Sequence, residues 1–249
     1  MAKLTAIIPT FNEAHNIVDT IKSVHFADEI MVVDSFSEDK TIELASPLAD
    51  TILQRKYENS ASQKNWAIPQ AQHEWILLLD ADERVTPELE KEVQSILKNG
   101  SEISGFWIKR QNYFMGKRVY FSGWQGDKVI RLFKRDECKY ENKHVHAEII
   151  SSGKIGILKN KLTHNTFISK EAYLKKIEKY AKWQAKDYDK KIGRITLFHT
   201  LIKPIFRFIK HYFIQLGILD GYVGFIISSY QAKGVKMRYK YLKEFRNAN

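Results

Sequence analysis

The sequence predicts an α/β fold, with a mostly parallel sheet flanked by helices and a basic helical extension at its C-terminal end. Two observations predict it. Short apolar runs alternate with segments of helical periodicity, and the connections between them are short, as in a parallel sheet. In such sheets ligands bind at the carboxyl ends of the strands, so those ends are where functional residues are expected.

The first half supplies most of the sheet. Its predicted strands are apolar runs that end at a proline or polar residue, and they cover residues 4–9, 30–34, 51–54 and 75–80. Helices are predicted between them over residues 17–24, 41–45 and 62–71, from apolar residues three and four apart. This order predicts strand and helix in regular alternation.

The second half changes character. Strands are predicted over residues 106–110 and 129–134, short strands over 149–158, and helices beyond Ser169. We therefore predict a boundary at residue 165, between an α/β domain at 1–165, whose strand ends would carry the chemistry, and a basic, apolar-rich helical region at 166–249.

Charge is divided unevenly along the chain. Residues 154–249 contain 21 Lys and Arg but 6 Asp and Glu, so the net charge of this part is +15. The net charge of the whole chain is lower, at +11, because the remaining residues are acidic overall. Such an excess calls for an anionic partner, either a nucleic acid or a membrane surface. No nucleic-acid reader motif is present, which favours the membrane. A nucleic-acid-binding protein remains the alternative.

The segment 197–230 combines this charge with many aromatic and aliphatic residues. Lys203, Arg207 and Lys210 interrupt it, so no stretch reaches the roughly 18 uncharged residues that a spanning helix needs. The pattern fits an interfacial membrane helix, with a helix that packs on a core as the alternative, and the coincidence of basic charge and apolar residues in one segment favours membrane contact. A single cysteine, Cys138, and an N-terminus without signal-peptide features predict a cytoplasmic protein, peripheral on the inner face of the membrane.

The most informative stretch is Trp75-Ile76-Leu77-Leu78-Leu79-Asp80-Ala81-Asp82-Glu83, a buried-strand pattern that ends in three acids. In an extended chain Asp80 and Asp82 would point to the same side. Two such carboxylates favour Mg²⁺ or Mn²⁺, which take oxygen ligands and leave positions open for substrate phosphates. The alternative is that the acids cap the helix starting at Thr86, and this suits Glu83 better than Asp80.

Further polar residues follow the other predicted strands. Glu13 follows the first strand and Asp34 ends the second, so one cleft could gather them with Asp80 and Asp82. His144 and His146 are two residues apart, and a neutral imidazole at His146 is a candidate metal ligand. A structural role for this histidine pair is the alternative.

Four stretches of the first half form a motif in combination: Ala6-Ile7-Ile8-Pro9-Thr10-Phe11-Asn12-Glu13, Val32-Val33-Asp34-Ser35, Lys64-Asn65 and Leu79-Asp80-Ala81-Asp82-Glu83. Together they resemble the family 2 inverting glycosyltransferases. The second half is similar to the lipopolysaccharide-core β-glucosyltransferase branch, through Gly126-Asp127, Arg131-Leu132-Phe133, the neighbourhood of Val145-His146, Leu219-Asp220-Gly221 and Gly224-Phe225. The resemblance implies a GT-A-type, Rossmann-like fold.

The resemblance also implies roles for individual residues. Pro9, Glu13 and Asp34 would line the nucleotide pocket, with Lys64 near the nucleotide. Asp80 and Asp82 would form the metal motif, with Asp82 the direct ligand of the diphosphate-bound ion. The family often has a second acid after Asp34, where this chain has Ser35-Phe36-Ser37, so the base contact rests on Asp34. The implied substrates are UDP-glucose as donor and a glycolipid as acceptor.

An inverting transfer needs a general base that activates the acceptor hydroxyl. Asp127 is the candidate, since it stands where the family has its acid, and a turn role after Gly126 is the alternative. Glu148 is the reserve candidate. Arg131 is predicted to pair with the diphosphate or, alternatively, to neutralise Asp127. A nucleotidyltransferase would also use paired aspartates, but it would normally have a glycine-rich basic loop after the first strand, and Pro9-Thr10-Phe11-Asn12 is not one.

Overall fold

A computed structural model of the chain describes residues 1–141, 148–189 and 191–247. The chain divides into two compact units. The first comprises Met1–Gln111 and Asp127–His164, and the second comprises Asn112–Gly126 and Asn165–Asn249. The predicted boundary at residue 165 separates the α/β domain from the basic helical region, and it stays a prediction.

The strands follow the predicted order closely. They are β1 (Leu4–Thr10), β2 (Glu29–Asp34), β3 (Thr51–Gln54), β4 (Trp75–Leu78), β5 (Glu83–Val85), β6 (Gly105–Phe114), β7 (Lys117–Arg118), β8 (Lys128–Lys134), β9 (Cys138–Tyr140), β10 (Ile149–Ser151) and β11 (Ile155–Phe167). The helices are α1 (Ile17–Lys22), α2 (Thr41–Ala45), α3 (Ser60–Ala67), α4 (Pro87–Asn99), α5 (Lys170–Asp189), α6 (Lys203–Ile209) and α7 (Gly221–Asn247). Short 3₁₀ or π-helical turns cover Ile68–Gln70, Phe198–Ile202, Lys210–Ile214 and Gly217–Asp220.

One mixed sheet organises the first unit. Its strands lie in the order β3-β2-β1-β4-β8-β6-β11-β5. The strands β3, β2, β1 and β4 are parallel, whereas β8 runs antiparallel to β4 and β6 antiparallel to β8. The chain builds outward from β1 in one direction through β2 and β3 and then returns to place β4 on its other side. Ligands of open α/β sheets bind where the strand order reverses in this way, here beyond the ends of β1 and β4.

The core of this unit lies on both faces of the sheet. Trp75, Leu77 and Leu79 pack into one apolar cluster with helices α1 and α4, while Ile76 and Leu78 pack into the cluster on the opposite face with α3. Successive strand residues face opposite ways, so a strand covered on both sides must be apolar throughout. The prediction of a doubly buried strand at Trp75 is confirmed.

The second unit is mainly helical. The long helices α5 and α7 pack together, and Tyr173 contacts Phe114 and Phe167, with ring centroids 5.2 and 4.7 Å apart. The unit also contains the aromatic and glycine-rich segment 113–126, which includes the end of β6, β7 and the loop that leads to β8. Asp220 accepts hydrogen bonds in this loop from the Tyr120 and Phe121 amides and from the Ser122 hydroxyl. The predicted C-terminal helical extension is confirmed.

Two helical segments of the second unit bear on membrane contact. Among the described residues, no single helix has the length and apolar content to cross a bilayer. One pair, Phe198–Ile214 and Gly217–Asn247, meets those requirements jointly, and its two parts are bent by 71°.

Candidate functional site

Asp80 and Asp82 lie in the turn that follows β4, and Glu83 is the first residue of β5. The strand ends at Leu78, and the Glu83 amide donates to the Asp80 carbonyl at 2.9 Å while the Asp80 amide donates to Glu83 Oε2 at 3.0 Å. Arg84 fixes the turn by donating to the carbonyl oxygens of Ala81 and Asn16. The expectation that Asp80 and Asp82 share one side of an extended strand is therefore wrong, because the chain turns here to enter β5.

Asp80 is neutralised by two cations. Lys64 Nζ lies 2.9 Å from Oδ1, and the Arg131 guanidinium binds Oδ2. Burial by itself would raise the pKa of Asp80, but Arg131 and Lys64 outweigh it and hold that pKa well below its usual range. The role of Asp80 as a metal ligand stays a prediction.

Glu83 is the most deeply buried of the three acids, with no exposed surface. Its Oε2 lies 2.8 Å from Arg131 Nε, and its Oε1 accepts from Arg131 Nη2 at 2.9 Å and from Arg110 Nη1 at 3.1 Å. The interpretation of Glu83 as a helix cap is wrong. The cap of α4 is Thr86, as expected, because its hydroxyl accepts from the Leu89 amide.

Asp127 stands immediately before β8 and is bound by Arg110. The guanidinium donates from Nε to Oδ2 at 3.0 Å and from Nη2 to Oδ1 at 2.6 Å, which is the forked arrangement that fixes a carboxylate in one orientation. Arg131 contacts Asp80 and Glu83, whereas the forked contact to Asp127 comes from Arg110, and the alternative that Arg131 neutralises Asp127 stays a prediction. The Asp127 side chain keeps a quarter of its surface exposed.

These contacts join into one chain of alternating charge, which we call the ion-pair chain. Its members are Lys64, Asp80, Arg131, Glu83, Arg110 and Asp127 in that order. Three cations alternate with three anions, so each buried charge has an opposite charge beside it. An unpaired ion in this position would cost several kcal/mol. The ion-pair chain therefore connects the end of β4 to the candidate base in a fixed geometry.

Asp82 is in a different environment from Asp80. Its Oδ2 lies 3.4 Å from His164 Nε2, and 26% of its side chain is exposed. Among the described residues no lysine or arginine forms an ion pair with it. Burial raises the pKa of the nearby Glu13 carboxyl, a hydrogen bond from Asn16 opposes this shift, and the negative charge of Asp82 adds to it.

The arrangement fits a divalent ion held by Asp82. The described part of the chain contains no group of three or more His, Cys, Asp or Glu side chains placed to enclose a metal. Mg²⁺ does not require one, since it commonly keeps several waters and binds through one or two carboxylates together with substrate phosphates. Asp82, partly exposed and without a lysine or arginine ion-pair partner among the described residues, has the oxygen donors for that mode of binding.

Two of the residues predicted to line the nucleotide pocket, Pro9 and Asp34, lie at the ends of β1 and β2. Thr10 pairs with Asp34 at the ends of these parallel strands, and Pro9, half-buried, pairs with Val33. Asp34 has no exposed surface and accepts from the Ser37 amide at 3.0 Å and from Gln54 Nε2 at 3.1 Å. Ser37 belongs to the stretch after Asp34 in which the family often has a second acid. Here its hydrogen bond supports the Asp34 carboxylate.

Glu148 is not a member of the ion-pair chain. It is exposed before β10, and its backbone amide donates to Glu141 Oε2 at 3.4 Å. His146 lies outside the described residues, as does His144. The roles proposed for these residues stay predictions.

Three residues of the site were missed by the sequence analysis: Glu83 as an ion-pair partner, Arg110 and His164. Arg110 carried a signal, because it follows Phe106 and Ile108 at alternate positions of β6 and so belongs to the inward face. A charged residue at such a position needs a buried partner. Glu83 and His164 carried no comparable signal, since their partners are distant in the sequence.

Comparisons with known proteins identify the family to which the sequence is similar. The family description "Glycosyl transferase family 2" matches residues 5–160. The chain is 28% identical over 240 residues to an uncharacterized glycosyltransferase of Rickettsia typhi, covering 92% of this chain and 82% of the relative. It is also 28% identical over 218 residues to the lipopolysaccharide core biosynthesis glycosyltransferase LpsC of Rhizobium meliloti, covering 84% and 80%.

A solved structure shares the fold. The mannosyltransferase PcManGT from Pyrobaculum calidifontis, crystallised with GDP-Man and Mn²⁺, superposes with a TM-score of 0.56 at 16% identity, covering 98% of this chain and 88% of that one. The predicted GT-A-type fold is confirmed.

Proposed function

Because the chain belongs to glycosyl transferase family 2, we propose that it is a metal-dependent, inverting hexosyltransferase that uses a nucleotide sugar, UDP-glucose in the first instance. The observation that carries the proposal is the difference between the two aspartates after β4. Asp80 is paired with Lys64 and Arg131, whereas no lysine or arginine among the described residues forms an ion pair with the partly exposed Asp82, whose Oδ2 lies 3.4 Å from His164 Nε2. This leaves one carboxylate at the strand end to bind an ion that arrives with the donor.

The donor would bind across the ends of β1, β2 and β4. Asp34 would accept a hydrogen bond from the base or ribose, beside Pro9 and Glu13, and Asp82 would hold Mg²⁺ or Mn²⁺ against the diphosphate. Such an ion stabilises negative charge that develops on the leaving diphosphate. Lys64 and Arg131 would add positive potential below it, although both are buried and already paired with Asp80.

Asp127 is proposed as the general base. It would accept the proton of the acceptor hydroxyl as that oxygen attacks the anomeric carbon from the face opposite the diphosphate. Arg110 holds both carboxylate oxygens, so the base is oriented before the acceptor binds. Glu148 is exposed and is not a member of the ion-pair chain, which makes it the weaker candidate.

For the acceptor we propose a glycolipid of the lipopolysaccharide-core type, reached from the cytoplasmic face of the membrane. The relative LpsC, named for core biosynthesis, supports this class of acceptor. The basic helical region 166–249 would make the acceptor or membrane contact.

The proposal is tested by Asp82→Ala together with a screen of UDP- and GDP-sugars in the presence of Mg²⁺ or Mn²⁺. We expect sugar transfer to fall by about 10³-fold or more, since the variant loses the anchor of the ion that stabilises the leaving group. Binding of Mn²⁺ in the presence of UDP, followed by electron paramagnetic resonance, should weaken in parallel.

The control is Asp187→Ala, which removes an exposed aspartate of α5 and should leave both readouts unchanged. Full transfer activity by folded Asp82→Ala enzyme in the presence of a chelator would reject the metal-dependent mechanism.

A further inference from the structure

The second unit exposes an unusual concentration of apolar side chains. Of the 25 large apolar side chains that are exposed in the described chain, 14 lie between residues 197 and 225. They are Leu197, Phe198, Leu201, Ile202, Ile205, Phe206, Ile209, Phe213, Ile214, Leu216, Ile218, Leu219, Tyr222 and Phe225. Single exposed apolar residues are ordinary on protein surfaces, but a contiguous group of this size marks an interaction site.

The spacing shows that these residues share one side of the helical segment Phe198–Ile214. Exposed residues recur there at intervals of three and four, from Phe198 through Ile202 and Ile205 to Ile209 and Phe213. The buried positions of the same segment are Pro204 and His211. A surface helix of a water-soluble domain normally buries its apolar stripe, and this one exposes it. Of the two sequence interpretations, packing on a core is therefore excluded for these side chains.

The bend after this segment extends the exposed group. Leu216 has a left-handed backbone with φ of 57°, and Ile218 and Leu219 are exposed in the short turn that follows. The turn is packed closely on the start of α7, since a Cβ on Gly224 would lie 1.8 Å from the Gly217 carbonyl oxygen. Only glycine fits at this contact, so the packing fixes the bend and the apolar side chains that it displays.

The charges around these side chains identify what covers them. Residues 191–225 contain five basic residues, Lys191, Arg194, Lys203, Arg207 and Lys210, and one acid, Asp220. Asp220 is occupied by the amides of Tyr120 and Phe121 and by the Ser122 hydroxyl. Apolar side chains bordered by unopposed basic ones match an anionic bilayer, with acyl chains below and phosphate groups at the level of the basic residues.

We propose that the exposed face of residues 197–225 docks on an anionic phospholipid bilayer, with its apolar side chains inserted among the lipid headgroups and upper acyl chains. The segment would lie in the interface, because Lys203, Arg207 and Lys210 carry their charges along it. This docking goes beyond the proposed transfer reaction and does not depend on it, since it requires neither donor nor acceptor.

The test is flotation of the full chain with phosphatidylglycerol/phosphatidylcholine vesicles in the absence of any sugar. We expect the wild-type protein to float with the anionic vesicles and much less with pure phosphatidylcholine. Ile205→Glu should weaken partition by about tenfold or more, because it replaces a buried apolar group with a charge in the membrane. Arg207→Glu should weaken binding to the anionic vesicles selectively.

A matched control distinguishes insertion from a general effect of added charge. Ile157→Glu changes an equally exposed isoleucine of β11 in the first unit, and it should float like the wild type. Equal flotation of Ile205→Glu and Ile157→Glu would overturn the proposal. So would a wild-type protein that does not float but forms a dimer that Ile205→Glu dissociates, since a second copy would then cover this face. Retention after an alkaline carbonate wash would indicate a spanning segment and would also contradict interfacial docking.

Failure of flotation leaves the transfer reaction standing if soluble donor hydrolysis persists. Conversely, Asp82→Ala should float normally while losing transfer. The two proposals can therefore fail separately.

Discussion

The two units treat charge and apolar surface in opposite ways. In the first unit, Glu83 and Arg131 are buried, and the ion-pair chain gives each a partner of opposite sign. In the second unit, side chains such as Phe206 and Ile214 remain more than half exposed. Each arrangement is unfavourable for an isolated domain in water. The first is compensated within the fold, and the second is the surface for which we propose a bilayer as partner.

This difference separates a site built for chemistry from a surface built for contact. Paired buried ions stabilise little compared with apolar residues of the same volume, but they hold carboxylates in defined positions and charge states. Exposed apolar residues add little to folding and gain free energy only when a partner removes them from water. The comparison therefore predicts which substitutions affect stability and which affect function.

The largest difference is expected between two phenylalanines. Phe133 is a completely buried residue of β8, so Phe133→Ala should lower the free energy of unfolding by about 3–5 kcal/mol. Phe206 is 58% exposed, so Phe206→Ala should change it by less than about 0.5 kcal/mol. Urea unfolding of both variants measures this. A comparable loss in Phe206→Ala would mean that the exposed face packs against protein.

A second comparison concerns buried and surface carboxylates. Glu83→Gln keeps the shape of the side chain but leaves Arg110 and Arg131 short of one negative charge, and we expect a loss of about 3–5 kcal/mol in stability.

Glu58→Gln is the matched control, because Glu58 pairs with Arg55 at 3.5 Å with two thirds of its side chain exposed. Such a surface pair contributes less than about 1 kcal/mol. Chemical denaturation of the two variants at neutral pH decides the point, and equal stability of both would show that the ion-pair chain contributes nothing through charge.

A smaller effect is expected where the ion-pair chain meets the candidate base. Arg110→Lys retains a positive charge, but a lysine cannot bind both oxygens of Asp127 while also reaching Glu83. Poor orientation of the base should lower kcat about tenfold to hundredfold, while the KM for the nucleotide sugar changes little.

The control for this substitution is Arg135→Lys, in which the same forked contact to Asp136 lies at the surface. It should leave both constants unchanged. If Arg110→Lys raised the KM for the donor and left kcat intact, Asp127 would have to act in donor binding, and its assignment as the base would be wrong.

Sequence reasoning succeeded where the signal was local. The apolar run at Trp75 predicted a strand buried on both faces, and Thr86-Pro87-Glu88 predicted the start of α4. Both follow from residues close together in the chain, through side-chain alternation and helix capping. Sequence reasoning failed on the orientation of Asp80 and Asp82, because the turn depends on a hydrogen bond between Glu83 and the Asp80 backbone and on Arg84 reaching Asn16.

The sequence by itself determined the α/β class, the position of acids at the strand ends and the excess of basic residues in the second half. The tertiary structure alone decided which acid is neutralised, since Asp80 meets Lys64 and Arg131 only after three elements come together. It also decided that the stripe from Phe198 to Phe213 faces outward, because periodicity shows that residues share a side of a helix but not what that side contacts. Pairing of charges and exposure of a face both depend on contacts between distant residues, and no local pattern specifies them.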